Sequence, residues 1–535
     1  MKQFLLETVR DKRLLITAGV LGFLFACFTC FGWQLEGKGN VSFSSFYTYG
    51  AILLLTLVFT PVLILLYKIT DKIKMSPEEG KKSKPLLVYG ISAGVIFIIW
   101  FIQLVGVYPG YFNYDATGQW EMYAMDQVTA HHPVLHTILL GVILDVVTGV
   151  TGAFNKGVFC FLVLQLFIIA LCFAYVVTWL YRRRFSKWFL GAAIVWFTLF
   201  PTVVINVLSV TKDSLFSAFF IVFLVMTLEL FTEPEEKLKS PLFCSGWILM
   251  FLLTGILRNN AIYVMILFVP VLLIRLRKHW KKMLLLCGIG GVLYVIYAGP
   301  VSSALTVQGV STKEFLSVPT QQLMRVYQEK KDSLSQEEIQ TYELLFDETA
   351  ITYYNPKISD VVKGHFNMTE YENNQKECIA FYVEQGLEYP GVYVNSFLHN
   401  TYGFWYPMAK LALDIYGNEG YFVCHSNPPA VNNGAVKIIE NYYLLFEDSF
   451  LVYGDAPTVL LFAPASFLWL FLFVAGNCFR KKKWNELWVL SPVFLLFCTY
   501  LLGPVALVRY VSFFYYMVPF EAALLSNFIS DKKQK

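Results

Sequence analysis

Val134-Leu-His-Thr-Ile-Leu-Leu-Gly-Val-Ile-Leu-Asp-Val-Val-Thr-Gly-Val150 decides how this chain is threaded. The stretch is apolar, and two readings compete. If it crosses a membrane, Arg182-Arg183-Arg184 falls on the side opposite the other basic loops. If it lies along the outer face as an interfacial or re-entrant helix, the basic segments share one side, as the positive-inside rule requires. Those segments are Lys68 to Lys84, Arg182 to Arg184, Arg275 to Lys282, Arg480 to Lys483 and the tail Lys532-Lys533. We adopt the second reading, which makes both termini cytoplasmic.

The surrounding sequence requires a membrane. Of 535 residues, 56% are hydrophobic and only 15% charged, in repeated long apolar runs, which a soluble domain does not show. Hydropathy predicts about twelve spans, near 14–33, 47–68, 86–107, 157–180, 188–210, 214–231, 241–257, 261–275, 283–303, 456–477, 487–504 and 509–529. The expected class is an all-α polytopic membrane protein with a mostly helical extracytoplasmic domain. Residues 1–85 carry two N-terminal helices, 86–303 a membrane core with an outer loop at 108–156, 304–455 the extracytoplasmic domain, and 456–535 the C-terminal helices. Cytoplasmic loops are short and hold no Gly-rich phosphate cradle, so chemistry is expected outside. Nothing in the chain calls for a nucleic-acid partner; the lipid bilayer is the implied one.

Within 304–455, Ser335-Gln-Glu-Glu338 reads as a capping box opening a helix. Residues 370–389 read as helix, with Pro390-Gly391 as a stop, and 415–436 as loop. Eight of the ten cysteines lie in or beside apolar segments. Cys378 and Cys424 lie in the outer domain, where a disulfide or two buried thiols are both open.

Polar groups gather at the predicted outer helix ends. Asp115 sits in Tyr108-Pro-Gly-Tyr-Phe-Asn-Tyr-Asp-Ala-Thr-Gly-Gln-Trp120, amid interfacial aromatics. It is a general-base candidate, since a partly dehydrated carboxyl can have a raised pKa; otherwise it caps the following helix. His131-His132-Pro133 leads into the 134–150 segment; His132 is a candidate for proton transfer, His131 for orienting substrate, and a helix flank is the plain alternative. Lys212-Asp213 and Arg258-Asn259 occupy tight outer turns, and Arg509 the outer start of the last span. The cations suit phosphate oxygens, Arg258 as a planar fork and Lys212 as a point charge. A neutralised pair or lipid contact is the alternative. Gln321, Gln322 and Arg325 read, on periodicity, as a solvated helix face.

Read in order, Tyr111-Phe-Asn-Tyr-Asp-Ala116, His131-His-Pro133, Thr211-Lys-Asp213, Leu257-Arg-Asn-Asn260, Val318-Pro-Thr-Gln-Gln-Leu-Met-Arg-Val326, Ser359-Asp-Val-Val-Lys363 and Val508-Arg-Tyr510 resemble a family of bacterial polytopic proteins. That family is similar in layout to the GT-C superfamily of membrane glycosyltransferases. The resemblance implies a polyprenyl-phosphate-linked sugar donor and an outer glycan, wall polymer or lipid-linked acceptor, in a bacterial cytoplasmic membrane. It implies catalysis on the extracytoplasmic face, with Asp115 as base and His132 assisting. Lys212, Arg258 and Arg509 would hold the departing phosphate, and Gln321, Gln322 and Arg325 would help select the acceptor. GT-C first loops often carry paired acids. Here the nearest acids in sequence to Asp115 are Glu121 and Asp126, which implies a single-base mechanism; a divalent cation (Mg or Mn) is left open. A repeat-unit polysaccharide polymerase, or a flippase of lipid-linked glycans, is the alternative.

Overall fold

A computed structural model describes residues 11–72, 84–309, 312–413, 418–448 and 457–526. The tail Lys532-Lys533 and most of the Lys-rich stretch before Lys84 lie outside these. Among the described residues the fold is all helical, with only isolated β-bridges and no strands. Seven helices are long and apolar enough to cross a membrane: Lys12–Lys38, Phe46–Lys72, Pro85–Gly106, Val134–Thr151, Phe154–Arg182, Lys212–Thr232 and Arg277–Leu305. The chain is a membrane protein of several apolar helices.

Six of the twelve expected segments do not form single helices of that length. Pro201 has no N–H to continue the preceding helix, so Lys187–Leu199 and Pro201–Leu208 meet at 52° and form an eighth candidate only as a pair. The expected final span is broken into Val508–Val511, Ser512–Tyr516 and Val518–Leu525. Pro241–Leu257, Ala261–Arg275 and Pro464–Arg480 are apolar but shorter, and Trp484–Tyr500 also stops at 17 residues. The 134–150 stretch itself passes the length test as Val134–Thr151.

Lys212–Thr232 is the hub. Every residue from Asp213 to Phe231 except Phe219 is buried, as expected for a helix that is apolar all round. Phe46–Lys72, at the periphery, instead exposes Leu53, Leu54, Leu57 and Val58. Such a surface is tolerable only where the surrounding solvent is lipid.

The hub has two polar poles. At one end lie Lys212 and Asp213. At the other, Glu229 receives Lys237 at 2.9 Å, Arg182 at 3.5 Å and the Tyr175 hydroxyl at 2.7 Å. Sixteen residues separate Asp213 from Glu229, about 24 Å along the helix axis. Arg183 pairs with Glu233 at this second pole, and Arg480 and Lys481 close on Asp71 at the ends of their own helices. Val134–Thr151 crosses the other end of its neighbour: Leu144 lies against Gly157 and the His136 ring against Phe161, both in the first third of Phe154–Arg182.

The described residues between 312 and 448 divide in two. Leu323, Met324, Tyr327, Tyr342, Leu345, Val362 and Phe366 form a separate core, while Tyr402, Phe404, Trp405, Phe422, Cys424 and Phe446 pack with the bundle. Cys378 borders the first cluster and Cys424 belongs to the second, and the two form no disulfide. The Ser335–Glu338 capping box is present. Gln375–Glu388 ends just before Pro390, as expected. Pro390 also starts the next helix, Pro390–Thr401, because a proline lacking its N–H loses nothing at a first helical turn.

Candidate functional site

Tyr111 builds the site. Its N–H donates to the Leu208 carbonyl at 2.9 Å, and its own carbonyl accepts from Val210 N–H at 2.8 Å. This bridge sets the loop after Pro85–Gly106 beside the turn before Lys212. Gln165 braces that turn by donating to the Val207 and Ser209 carbonyls. Gly110 allows the approach: its φ is +100°, and a Cβ there would meet a Leu162 methyl at 2.1 Å. Asn113 donates to the Val423 carbonyl and Ser426 to the Gly110 carbonyl, so residues 423–427 cover the loop.

Tyr114 then takes φ 52°, uncommon for a residue with a side chain, and Asp115 starts the helix Asp115–Ala124. The capping alternative is not used, since both Asp115 oxygens bind cations. Arg509 makes a bidentate pair, Nη1 to Oδ2 at 2.9 Å and Nη2 to Oδ1 at 3.1 Å. Lys212 pairs with the same Oδ2. Arg509 Nη1 also reaches Asp213 Oδ2 at 3.1 Å, and Arg258 pairs with Asp213 Oδ1. A second acid therefore does stand beside Asp115. It comes from 98 residues further along the chain (213 − 115) and is joined to it through one guanidinium.

Sequence reasoning missed the aromatic walls. The Arg258 guanidinium lies 4.4 Å from the Tyr500 ring and 4.9 Å from Tyr510. Arg509 lies 4.6 Å from Tyr114 and 4.8 Å from Tyr510. Tyr114 and Tyr510 adjoin Asp115 and Arg509 in sequence; Tyr500 carries no comparable signal.

His132 joins the cluster, with Nδ1 at 3.5 Å from Lys212 Nζ and 3.8 Å from Asp115. Lysine can only donate, so Nδ1 accepts and the proton sits on Nε2. Burial, then Lys212, drives its pKa down to about 3, so it is neutral at physiological pH. Burial would push Asp115 up, but Arg509 and Lys212 outweigh it and hold the carboxyl well below its usual range. A raised pKa, the basis for reading Asp115 as a base, is not what the unliganded site has. Three cations against two carboxylates leave one net positive charge.

The other candidates lie outside this cluster. His131 turns to Glu314 at 3.5 Å, and its ring packs on His132. Asn259 donates to the Ala130 and His131 carbonyls, which positions the histidine turn. Gln321 donates to the Asn355 carbonyl, and Gln322 bonds Tyr382 and Tyr393. Arg325 binds Glu329, Gly39, Asn40 and Asn395, tying the helix Ser317–Lys330 to the end of Lys12–Lys38. These three are buried or half-buried in their own domain and do not form the solvated face the periodicity suggested, nor do they reach Asp115. Among the described residues, no three His, Cys, Asp or Glu side chains are grouped to hold a metal ion.

No curated protein and no solved structure matches the chain. One family model, described as a family of unknown function, DUF6020, matches residues 124–533, which include His132, Lys212, Asp213, Arg258 and Arg509 but not Asp115. Because that match spans well over half of its length, the chain belongs to the DUF6020 family.

Proposed function

We propose that this protein is a GT-C-type glycosyltransferase, moving a sugar from a polyprenyl-phosphate donor to an extracytoplasmic glycan, wall polymer or lipid-linked acceptor. The observation that carries this reading is the buried cluster with net positive charge around Asp115. One excess cation suits a phosphate leaving group, whose charge grows as the glycosidic bond breaks. The acceptor hydroxyl attacks the anomeric carbon with inversion, its proton passes to Asp115, and the C1–O bond to phosphate breaks to release polyprenyl phosphate. Lys212 and Arg509 have a double duty. In the unliganded site they neutralise Asp115; when they turn to the donor phosphate, the carboxylate they release becomes a stronger base. Arg258, held between Tyr500 and Tyr510, binds phosphate beside Asp213.

The membrane reading follows the poles. The Glu229 pole collects Arg182, Arg183 and Lys237, which supports a cytoplasmic placement there and an outer placement for Asp115. Counting the shorter and broken apolar helices gives the proposed twelve crossings, with Val134–Thr151 at the outer face and both termini cytoplasmic, in a bacterial cytoplasmic membrane. No step in this scheme calls on a metal; a divalent cation at the donor phosphate stays open.

The test is radiolabelled sugar transfer in membranes from a panel of polyprenyl-phosphate sugars. Asp115→Asn should lower transfer by about 10²-fold or more, within the range for loss of a general base, at wild-type expression. Full activity in that variant removes Asp115 as base. Transfer from none of the monosaccharide lipids by the folded protein removes this donor class and turns attention to repeat-unit diphosphate lipids.

A further inference from the structure

A cavity of about 530 Å³ lies apart from the Asp115 cluster. Glu36 and Gly39 line it from the end of Lys12–Lys38, His399 from Pro390–Thr401, and Tyr353 to Lys357 and Glu419 from two loops. Its size suits a small ligand.

Its chemistry is opposite to that of the cluster. Lys357 pairs with Glu419 at 2.6 Å and approaches Glu36 at 3.8 Å, leaving one net negative charge, which disfavours a phosphate. The Tyr354 hydroxyl and His399 Nε2 are fully buried beside the cavity. His399 is 5% exposed, and its Nδ1 faces Arg325 at 3.4 Å, so Nε2 carries the proton as a donor. The Gly39 carbonyl beside it accepts from both His399 and Arg325. Tyr353 adds a side chain 57% exposed, whose ring face can carry the apolar face of a ligand.

The chain that lines the cavity continues towards the cluster. From Asn355 and Lys357 the chain continues to Ile358, which bridges to Val505, and Ser359, whose N–H donates to the Pro504 carbonyl at 2.8 Å. Asp360 then lies within electrostatic reach of Tyr510, the ring shared by Arg258 and Arg509. Three residues separate Lys357 from Asp360, at most about 11 Å of extended chain.

We infer that this cavity binds an uncharged, hydroxyl-rich oligosaccharide: carboxylates accept from sugar hydroxyls, and Tyr353 supports a ring face. This rests on the glycosyltransferase reading in one respect, that the bound saccharide is the acceptor. The division is physical: the positive cluster takes the donor phosphate, and the negative cavity takes the neutral glycan.

The test uses the full chain in lipid nanodiscs and saturation-transfer NMR with soluble unphosphorylated probes: maltoheptaose, chitotetraose, a galactan and a rhamnan oligosaccharide. At least one probe should bind, and Tyr353→Ala and Glu419→Gln should each weaken it at least fivefold. Asp115→Asn and added inorganic pyrophosphate should leave it unchanged. Melting curves check that the variants fold, and Glu36→Gln is the conservative substitute if Glu419→Gln does not. Binding by no probe, binding indifferent to the cavity variants, or binding displaced by pyrophosphate overturns the assignment. The two readings fail separately. Saccharide binding that maps to Tyr353 without any sugar transfer removes the transferase and leaves the cavity. Transfer with no such binding does the reverse.

Discussion

His132 and Asp115 stand 3.8 Å apart and titrate in the same direction for different reasons. In the unfolded chain the imidazole titrates at about 6.5; in the folded protein burial, then Lys212, lowers it to about 3. Between those values the unfolded chain binds the extra proton, so stability falls as pH drops from about 6.5 towards about 3. Asp115 extends the loss further down. Its folded carboxyl is depressed, so its contribution is present above the ordinary carboxylate range and is lost as pH falls through the folded value. His132→Asn should therefore flatten the fall in melting temperature between about pH 6.5 and pH 5. An unchanged slope would show that the imidazole is not held neutral. Asp213 has the opposite character to an adaptable surface charge. It is fully buried, and removing one partner from such a pair typically costs about 3–5 kcal/mol, because the remaining charge stays desolvated.

The helix Asp115–Ala124 is short and takes its position from contacts. Its best-defined seat is on Val134–Thr151, where Gly141 leaves room for the Tyr123 ring; a Cβ at Gly141 would come within 2.1 Å of it. Gln119 adds bonds to Thr137 at 3.1 Å and to His136 at 3.1 Å. The segment whose placement decides the threading therefore also serves as the platform for the proposed base. Gly141→Ala is expected to shift Asp115 and lower sugar transfer by roughly 10–10²-fold, the scale of an ångström misplacement. The Asp213–Arg258 pair, and with it much of the stability, should persist. Gly149→Ala on the same helix is the control, because nothing lies within 4 Å of its Cβ position. Equal effects of the two substitutions would mean that helix propensity, not the seat, was measured.

Across the whole molecule the two poles organise charge. Carboxylates meet arginines and lysines at both, but at the Glu229 pole the partners include half-exposed Arg182, whereas at the Asp115 pole Arg258 and Arg509 are walled by aromatic rings. Impermeant-maleimide labelling of single-cysteine variants distinguishes the sides. Ser333→Cys, on the exposed outer-domain turn, should label in intact cells, and Arg184→Cys, in the exposed loop at the other pole, only after permeabilisation. Labelling of Arg184→Cys from outside would put Val134–Thr151 across the bilayer and reverse the assignment of the poles.

The sequence alone determined the class of the molecule, because apolar length and the absence of alternation leave a helix as the only way to satisfy a backbone in lipid. It also marked Asp115, His132, Lys212, Asp213, Arg258 and Arg509 as polar groups at helix ends, and the structure joins all six. The tertiary structure decided the rest. Asp213 becomes the neighbour of Asp115 only because the Tyr111 bridge carries one turn to the other, and no local spacing encodes that. Cation pairing reverses the carboxyl shift expected from dehydration, and pairing is a property of the assembled charges. Gln321, Gln322 and Arg325 look solvated by periodicity but turn inward, since their partners, Asn355, Tyr382 and Gly39, arrive from distant segments. Helix existence follows from local chemistry; which polar ends share a pole, and with what net charge, follows from packing.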